Sequence, residues 1–311
     1  MAELYSTCLD QCSWADQQGF DTVVFSEHHG VPDGYLPSPL VMAGAVAGRT
    51  SRVMISISAL LVPLHNPLRL AEDIAVLDLA SGGRIAVVAG LGYRDPEFEM
   101  FEVERKGRGQ LMENSIRTMK QAWTGEPFEY QGKTVRVTPR PKQDPHPVVL
   151  IGGSTEIAAR RAASLNLPFM PAIGDQALAD IYHEECQKQG FSSGWVLLPR
   201  GPGFVHVAED PERAWAEIAP HAMYEAQTYA SWQTPGQRSN VTTYAQTPEE
   251  VRASGIYAVV TPEECLKLAQ QLGPGGSLVF HPLMGGLSPD LGWESLQLFA
   301  DKVLPRLKQP V

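Results

Sequence analysis

Short apolar runs recur along the chain, and amphipathic segments separate them. The runs do not alternate apolar with polar residues, so they predict strands that are covered on both faces. Such strands are typical of parallel sheets under helices, and the repeated order of strand and helix predicts an α/β fold. The predicted strands are Thr22–Phe25, Val53–Ile57, Ile85–Ala89, Val148–Ile151, Leu167–Met170, Phe204–Val207 and Leu278–Phe280.

Two stretches interrupt this regular order. Residues 128–137 alternate polar and apolar side chains around Gly132, which predicts a small antiparallel hairpin. The polar residues 226–256 predict a long insertion that borders the active site, because long irregular segments often carry function. No low-complexity linker is present, so we expect one domain over residues 1–311. The predicted helices are Glu3–Gln18, Leu68–Leu79, Arg108–Trp123, Thr155–Ser164 and Trp293–Leu307.

Composition narrows the class of protein. A chain of 311 residues suits one large α/β barrel, and 43% hydrophobic with 19% charged residues is typical of a globular protein. A net charge of −10 argues against a nucleic-acid partner. No apolar run reaches membrane-spanning length and no signal pattern opens the chain, so we expect no membrane partner and a cytoplasmic location. The four cysteines, at positions 8, 12, 186 and 265, lack metal-site spacing and are expected to be reduced.

Residues that can do chemistry follow the first three of these strands, where an α/β barrel places its site. His28 and His29 follow the first run, and a histidine can exchange a proton near neutral pH. Small residues at Ser58 and Ala59 follow the second run and would let a flat ligand approach. Gly90-Leu91-Gly92-Tyr93-Arg94 follows the third, where glycines would also permit close approach.

A glycine turn opens the predicted helix after Val148–Ile151. Gly152, Gly153 and Ser154 precede this helix, whose free N–H groups and dipole make a phosphate cradle. An ordinary capping box would explain Ser154 equally well without any ligand. The turn has neither the Walker nor the dinucleotide-binding spacing.

Several motifs together resemble the bacterial luciferase-like flavin monooxygenase family. They are Glu27-His28-His29, Leu64-His65-Asn66-Pro67-Leu68-Arg69 with Ala71-Glu72-Asp73, Leu77-Asp78-Leu79-Ala80-Ser81-Gly82-Gly83-Arg84, and the stretch from Arg140-Pro141 to Gly152-Gly153-Ser154. The resemblance implies a (β/α)8 barrel that binds reduced FMN, or the deazaflavin coenzyme F420, at its carboxyl-terminal mouth. It implies a flavin-dependent monooxygenase or oxidoreductase of a small organic substrate, a homodimer, and a separate flavin reductase as partner.

The same resemblance assigns roles to single residues. His28 falls at the catalytic or flavin-facing histidine, and Ser58-Ala59 at a bulged peptide under the ring, which we expect to be cis. Gly153 and Ser154 fall where the phosphate is held, while Glu72, Asp73, Asp78 and Arg84 match structural positions that tie helix to strand. The reactive cysteine and phosphate-binding arginine of the luciferases correspond to Gly90 and Leu91, a departure that argues against light emission. Further expected cofactor contacts are Gly90, Gly92 and Gly152, and expected substrate-pocket residues are His29, His65, Tyr93 and His281.

Other functions remain open at this point. With FMN the chemistry is oxygenation in a dry pocket, and with F420 it is hydride transfer assisted by His28. A metal-dependent barrel hydrolase could use His28, His29 and His281, although no His-x-His pair stands on a predicted strand, and no metal is expected. A non-catalytic flavin-binding subunit would have lost the histidine and the phosphate turn, which are both present.

The chain has seven apolar runs where a closed barrel needs eight. The segment before Thr22–Phe25 has a helical stripe instead of a strand, so the first strand of the barrel is expected to be absent or to lie upstream of Met1. We therefore expect a gap between Thr22–Phe25 and Leu278–Phe280 unless another segment, such as Asn240–Ala245, fills it. Flavin should then be held weakly.

Overall fold

The structure, a computed structural model, describes residues 1–191, 194–234 and 236–308. The strands are β1 (Thr22–Phe25), β2 (Met54–Leu61), β3 (Ile85–Gly90), β4 (Phe128–Tyr130), β5 (Lys133–Val135), β6 (Val148–Gly153), β7 (Phe169–Pro171), β8 (Phe204–Val207) and β9 (Tyr257–Val260). The helices are α1 (Ala2–Gln18), α2 (Pro39–Ala47), α3 (Pro67–Ser81), α4 (Asp95–Met100), α5 (Arg108–Ala122), α6 (Glu156–Ser164), α7 (Gln176–Lys188), α8 (Pro211–Trp232), α9 (Pro248–Ala253), α10 (Pro262–Leu272), α11 (Pro289–Lys302) and α12 (Leu304–Leu307). The chain divides into two compact units, a sheet unit (residues 12–171 and 175–198) and a terminal unit (residues 1–11, 172–174 and 199–311).

The sheet unit is built on a parallel sheet in the order β1-β2-β3-β6-β7. Ile55 on β2 lies opposite Ile85 on β3, and Val87 on β3 lies opposite Val149 on β6. Most side chains of β3 are buried, which agrees with a strand covered on both faces, whereas Val24 on β1 is 55% exposed. The predicted α/β organisation with parallel strands is confirmed, and the antiparallel hairpin of β4 and β5 forms around Gly132 as expected.

Polar side chains at the end of α3 and just after it hold this helix to neighbouring segments of the sheet unit. The carboxylate of Asp78 on α3 accepts hydrogen bonds from the backbone N–H groups of Lys142 and Gln143, at 2.7 and 2.8 Å. The guanidinium of Arg84 donates to the carbonyl oxygens of Val53 and Ala47, among others. The structural interpretation of Asp78 and Arg84 is therefore confirmed.

The same interpretation is wrong for Glu72 and Asp73. Both lie on the exposed side of α3, where they pair with Arg69 one helical turn away, at 3.7 and 3.0 Å. They contribute only exposed pairs within one helix, which are worth a few tenths of a kcal/mol each.

The terminal unit contains the parallel pair of β8 and β9, packed on α8, α9 and α11. The sequence prediction missed β9. The strand predicted at Leu278–Phe280 does not form, because these residues make no ladder, although the Val279 carbonyl accepts from the Val205 N–H at 2.7 Å. The insertion also starts later than residue 226, since α8 continues to Trp232.

Strand β1 lies at one end of the sheet order. It is hydrogen-bonded to β2, and within the described ranges it pairs with no other strand. The segment Asn240–Ala245 forms no strand. None of the four cysteines, all of which lie in the described ranges, forms a disulfide, and Cys12, Cys186 and Cys265 are buried, as expected of small core residues.

Candidate active site

His28 lies just beyond the carboxyl end of β1 and is buried, with 6% of its surface exposed. Its Nδ1 donates to Oε1 of Glu97 on α4, at 2.9 Å. The rings of Tyr35 and Tyr93 meet the imidazole edge-on, with centroids at 4.9 and 5.7 Å. The carboxylate fixes the tautomer and, with the two rings, the orientation of His28. The expected opening of His28 onto a flavin-sized cavity lined by Ser58 and Gly90 stays a prediction.

Glu97 holds the loops after β1 and β3 together. Its Oε1 accepts from His28 Nδ1, from the His29 N–H at 3.1 Å and from Arg94 Nη1 at 2.9 Å, and the side chain is fully buried. Burial alone would raise the pKa of Glu97, but the hydrogen bond and charge of His28, with the donors of His29 and Arg94, lower it below its ordinary value. Glu97 is therefore an anion that positions His28.

A second buried carboxylate, Glu27, lies beside this group. Its Oε1 accepts from the Nε2 atoms of His29 and His65, both at 2.9 Å, and its Oε2 accepts from the Leu61 N–H at 2.6 Å. Burial would raise the pKa of Glu27, but these donors outweigh it and lower the pKa to about 2. His29 and His65 are thus brought together by Glu27, which joins the ends of β1 and β2.

The end of β2 is irregular, as expected. The Ser58–Ala59 peptide is cis, and the pairing of β2 with β3 shifts register between Ser58 and Leu60. A Cβ on Gly90 would lie 2.7 Å from Cβ of Ala59, which is closer than any real contact. A glycine is therefore needed at position 90 to make room for the bulge of β2. This packing explains Gly90 without the ligand contact that the sequence interpretation assigned to it.

The glycines of the turn after β6 also lie too close to neighbouring side chains to carry a Cβ. Gly153 has φ +147°, and a Cβ there would lie 2.6 Å from Cβ of Ala158; at Gly152 it would lie 3.0 Å from Val88 Cγ1. The residue that caps α6 is Thr155, whose side chain accepts from the Ala158 N–H at 3.3 Å. Ser154 is therefore not the capping residue of α6, and it is buried beside the helix N-terminus.

A group of cations lies next to the end of β3. Arg108 Nε donates to the carbonyl of Gly92 at 3.1 Å. Arg161 pairs with Glu113 at 2.9 Å and Arg105 pairs with Asp95 at 2.8 Å, whereas no carboxylate of the described residues lies within 4 Å of the Arg108 guanidinium. Burial lowers the pKa of Arg108, and the like charges of Arg105 and Arg161 lower it further. A bound anion would relieve this repulsion.

Most of the expected site residues belong to one of the two compact units. His28, His29, His65, Tyr93 and the residues at the ends of β2, β3 and β6 belong to the sheet unit, and His281 belongs to the terminal unit. Within the described ranges, no group of three His, Cys, Asp or Glu residues could hold a metal ion. None of the described helices is both long and apolar enough to cross a lipid bilayer.

Sequence reasoning missed three residues of this site. Glu97 lies on a short helix and reaches back to His28, 69 positions earlier in the chain, so no local spacing signals it. Tyr35 lies in the loop after β1, where an aromatic residue predicts nothing by itself. Arg108 could have been found, because an arginine at the start of an amphipathic helix that follows the glycine turn of β3 is a candidate anion ligand.

The chain belongs to the luciferase-like monooxygenase family, whose family model matches residues 3–270. The sequence-based assignment to this enzyme family is therefore confirmed. The chain is 24% identical to limonene 1,2-monooxygenase of Rhodococcus erythropolis over 323 residues, covering 96% of this chain and 80% of that protein. It is 24% identical to the oxygenase component of flavin-dependent trigonelline monooxygenase of Acinetobacter baylyi over 231 residues, covering 70% of this chain and 64% of that protein. Against several relatives, including two uncharacterised proteins of Sinorhizobium fredii, the chain spans only 47% to 64% of the relative's length.

Solved structures show the same fold. Monooxygenase RslO1 from Streptomyces bottropensis matches with a TM-score of 0.79 at 23% identity, over 97% of this chain and 93% of that chain. The oxygenating constituent of 3,6-diketocamphane monooxygenase from Pseudomonas putida, in complex with FMN, matches with a TM-score of 0.72 at 19% identity, over 98% and 94%. An F420-dependent secondary alcohol dehydrogenase in complex with an F420-acetone adduct matches with a TM-score of 0.72 at 16% identity, over 98% and 96%. The fold is therefore that of the luciferase-like (β/α)8 barrel, as predicted.

Proposed function

We propose that this protein is a flavin-dependent monooxygenase that uses reduced FMN and oxygen on a small organic substrate. The observation that carries the proposal is His28 at the end of β1, held through Nδ1 by the buried carboxylate of Glu97, in a chain of the luciferase-like family. A bound reduced flavin would supply the electrons for the reaction.

His28 is the residue that we assign to proton transfer. Because the Glu97 carboxylate holds Nδ1–H, Nε2 is the ring atom that takes up or gives back a proton. Tyr35 and Tyr93 pack edge-on against the ring and keep it in one orientation. Glu97 and Glu27 act as positioning residues, since each holds a histidine without touching the reacting atoms.

The phosphate of the cofactor fits the cationic group at the end of β3. Arg108 is half-buried and lacks a carboxylate partner among the described residues, so an anion would satisfy its charge. Ser154 and the N-terminus of α6 would supply a hydroxyl and backbone N–H groups to the same anion. This assignment keeps Gly153 and Ser154 as phosphate residues and adds Arg108 to them.

F420 is the alternative cofactor. A solved structure with the same fold contains an F420 adduct, which supports this alternative. With F420 the reaction would be an oxygen-independent hydride transfer, and His28 would still exchange the proton. The trigonelline relative is the oxygenase component of a larger system, which supports a separate flavin reductase as partner here. We also propose that the protein is a homodimer and that it is cytoplasmic.

Anaerobic titration tests the proposal and separates the two cofactors. The full chain is titrated with reduced FMN and, separately, with reduced F420, and binding is read from fluorescence. We expect saturable binding of reduced FMN that is tighter than binding of F420; the reverse order would favour hydride transfer, and failure to bind either would overturn both.

An arginine variant tests the phosphate assignment. Arg108→Ala should weaken cofactor binding at least about tenfold, because a charge-assisted contact is lost. The matched control is Arg69→Ala, on the exposed side of α3, where 72% of the side chain is exposed, and it should bind as the wild type does. Equal effects of the two substitutions would remove Arg108 from the site.

A further inference from the structure

The loop between α4 and α5 carries cations where a helix favours acidic residues. Helix α5 begins at Arg108, and its first turn contains no Asp or Glu. Arg105, Lys106 and Arg108 stand there instead. Because the partial charge at a helix N-terminus is positive, acidic side chains stabilise it and basic ones oppose it. The loop therefore holds its cations against the field of its own helix.

Two of these cations have no counter-charge in the part of the chain that the structure describes. Arg105 pairs with Asp95 at 2.8 Å, whereas no carboxylate of the described residues lies within 4 Å of the Arg108 guanidinium or the Lys106 ammonium. Burial, and after it the like charges of Arg105 and Arg161, lower the pKa of Arg108. Proteins break local rules of this kind mainly at functional sites, so the cations call for a functional explanation.

Lys106 is placed differently from Arg108. It is exposed, whereas Arg108 is half-buried. Gly107 lies between them with φ +83°, and a Cβ built on it would meet open space, so this turn faces solvent. The backbones of Lys106 and Arg108 are at most about 7 Å apart, because only two residue steps separate them. Lys106 therefore puts a positive charge at the exposed rim of the cationic group.

The overall field of the protein has the opposite sign. The chain has a net charge of −10, so its distant charges repel a phosphate. Salt limits their reach, since the screening length is about 10 Å at 0.1 M. Within that distance the local cations decide whether an anion is attracted or repelled. A charge at the rim of a site acts mainly on the rate of association.

We propose that Lys106 is an electrostatic capture residue, which speeds the association of the flavin phosphate with Arg108. The proposal rests on the flavin function proposed above, and it explains how an acidic protein attracts an anionic cofactor. Lys106 draws the phosphate to the loop, and Arg108 then binds it. The loop keeps these cations although they destabilise the start of α5.

A charge series at position 106 tests the capture. Association of reduced FMN with the full chain is followed anaerobically by stopped-flow fluorescence at about 0.1 M salt. Lys106→Met should slow association, and Lys106→Glu should slow it further, by at least about threefold from the wild type. Lys106→Arg should keep the wild-type rate, and dissociation should be nearly the same in all three. Equal slowing by Met and Glu would indicate a lost contact instead of a field, and this result or unaltered rates would overturn the proposal.

A second lysine supplies the matched control. Lys133 is exposed on the β4–β5 hairpin, which follows the other end of α5. Lys133→Glu changes the net charge of the chain by the same two units as Lys106→Glu, and it should associate with reduced FMN as the wild type does. Equal slowing by the two substitutions would show that net charge governs the approach, and Lys106 would lose its role.

Salt provides a test whose sign separates the two fields. If the loop attracts the phosphate, raising the salt from about 0.1 to about 0.5 M should slow association with the wild type, because the attraction is screened. If the net charge governed the approach, salt would speed association, since a repulsion would be screened. Faster association at the higher salt would therefore refute the capture.

Urea unfolding tests the opposition between the loop and its helix. Lys106→Glu should raise the urea midpoint, because an acidic side chain then faces the positive end of α5 and Arg108. Lys133→Glu should not raise it, and a Lys106→Glu midpoint at or below that of the wild type would contradict the proposal. Failure of the wild type to bind reduced FMN at all would refute the flavin function itself, whereas binding at rates that ignore position 106 would refute only the capture.

Discussion

Replacing Glu27 by Gln tests how the buried carboxylate stabilises the candidate active site. The change keeps the size of the side chain and removes the charge that accepts from His29, His65 and the Leu61 N–H. The pKa of Glu27 is lowered from 4.5 to about 2 in the folded chain. By linkage, this lowering corresponds to about 3 kcal/mol of stability.

The sign of the pH dependence follows from the lowered pKa. The stabilisation is complete above about pH 4.5 and is lost as the pH falls towards about 2, because the unfolded chain then binds the proton first. We therefore expect Glu27→Gln to lower the free energy of unfolding by about 3 kcal/mol at pH 7. At about pH 3 the difference from the wild type should shrink to about half of that.

The assay is denaturant unfolding at both pH values, followed by circular dichroism and extrapolated to water. Glu263→Gln is the control, since Glu263 is exposed and pairs with Arg306 on the surface; it should leave stability nearly unchanged. A Glu27→Gln variant as stable as the wild type, or a difference that does not change with pH, would refute the reasoning.

Three further changes test other parts of the structure. Asp16→Ala removes the carboxylate that accepts from the N–H groups of residues 51–53, at 2.7 to 3.0 Å, and should cost about 2 to 4 kcal/mol of unfolding free energy; a loss in urea unfolding below about 1 kcal/mol would contradict this. Gly153→Ala sets a Cβ against Ala158 at a φ of +147°, and it should weaken reduced-FMN binding at least about tenfold in the fluorescence titration; unaltered binding would show that the turn does not hold the phosphate. His28→Ala should slow turnover by about 10²-fold if Nε2 transfers a proton, and an unchanged rate in steady-state assays would leave His28 a structural residue.

Apolar runs predicted the inner strands of the sheet unit because most of their side chains are buried. Ile85–Gly90 and Val148–Gly153 extend only one or two residues beyond their predicted ends. The same rule failed at Leu278–Phe280, a run of three residues before His281-Pro282 that forms no strand and accepts one backbone hydrogen bond from β8. It was not applied to Tyr257–Val260, although this run is apolar and precedes the capping box of α10 at Thr261.

The candidate site was predicted as far as it depends on strand ends. His28, the irregular Ser58–Ala59 peptide and the turn at Gly153 stand where the order of strands places them. The carboxylates that set their geometry could not be predicted, because Glu97 meets His28 across 69 positions and Glu27 meets His65 across 38. Such contacts depend on tertiary packing and leave no local pattern in the sequence.

The division of the chain into units has a consequence for its synthesis. All residues of the sheet unit have been translated once Leu198 is made, whereas the terminal unit combines the first residues, Met1–Gln11, with the last ones. Domains of growing chains fold as units, and those nearer the N-terminus fold first. Co-translational folding can therefore complete early the segments that carry His28 and Glu97. The terminal unit is completed only when the C-terminal residues join Met1–Gln11.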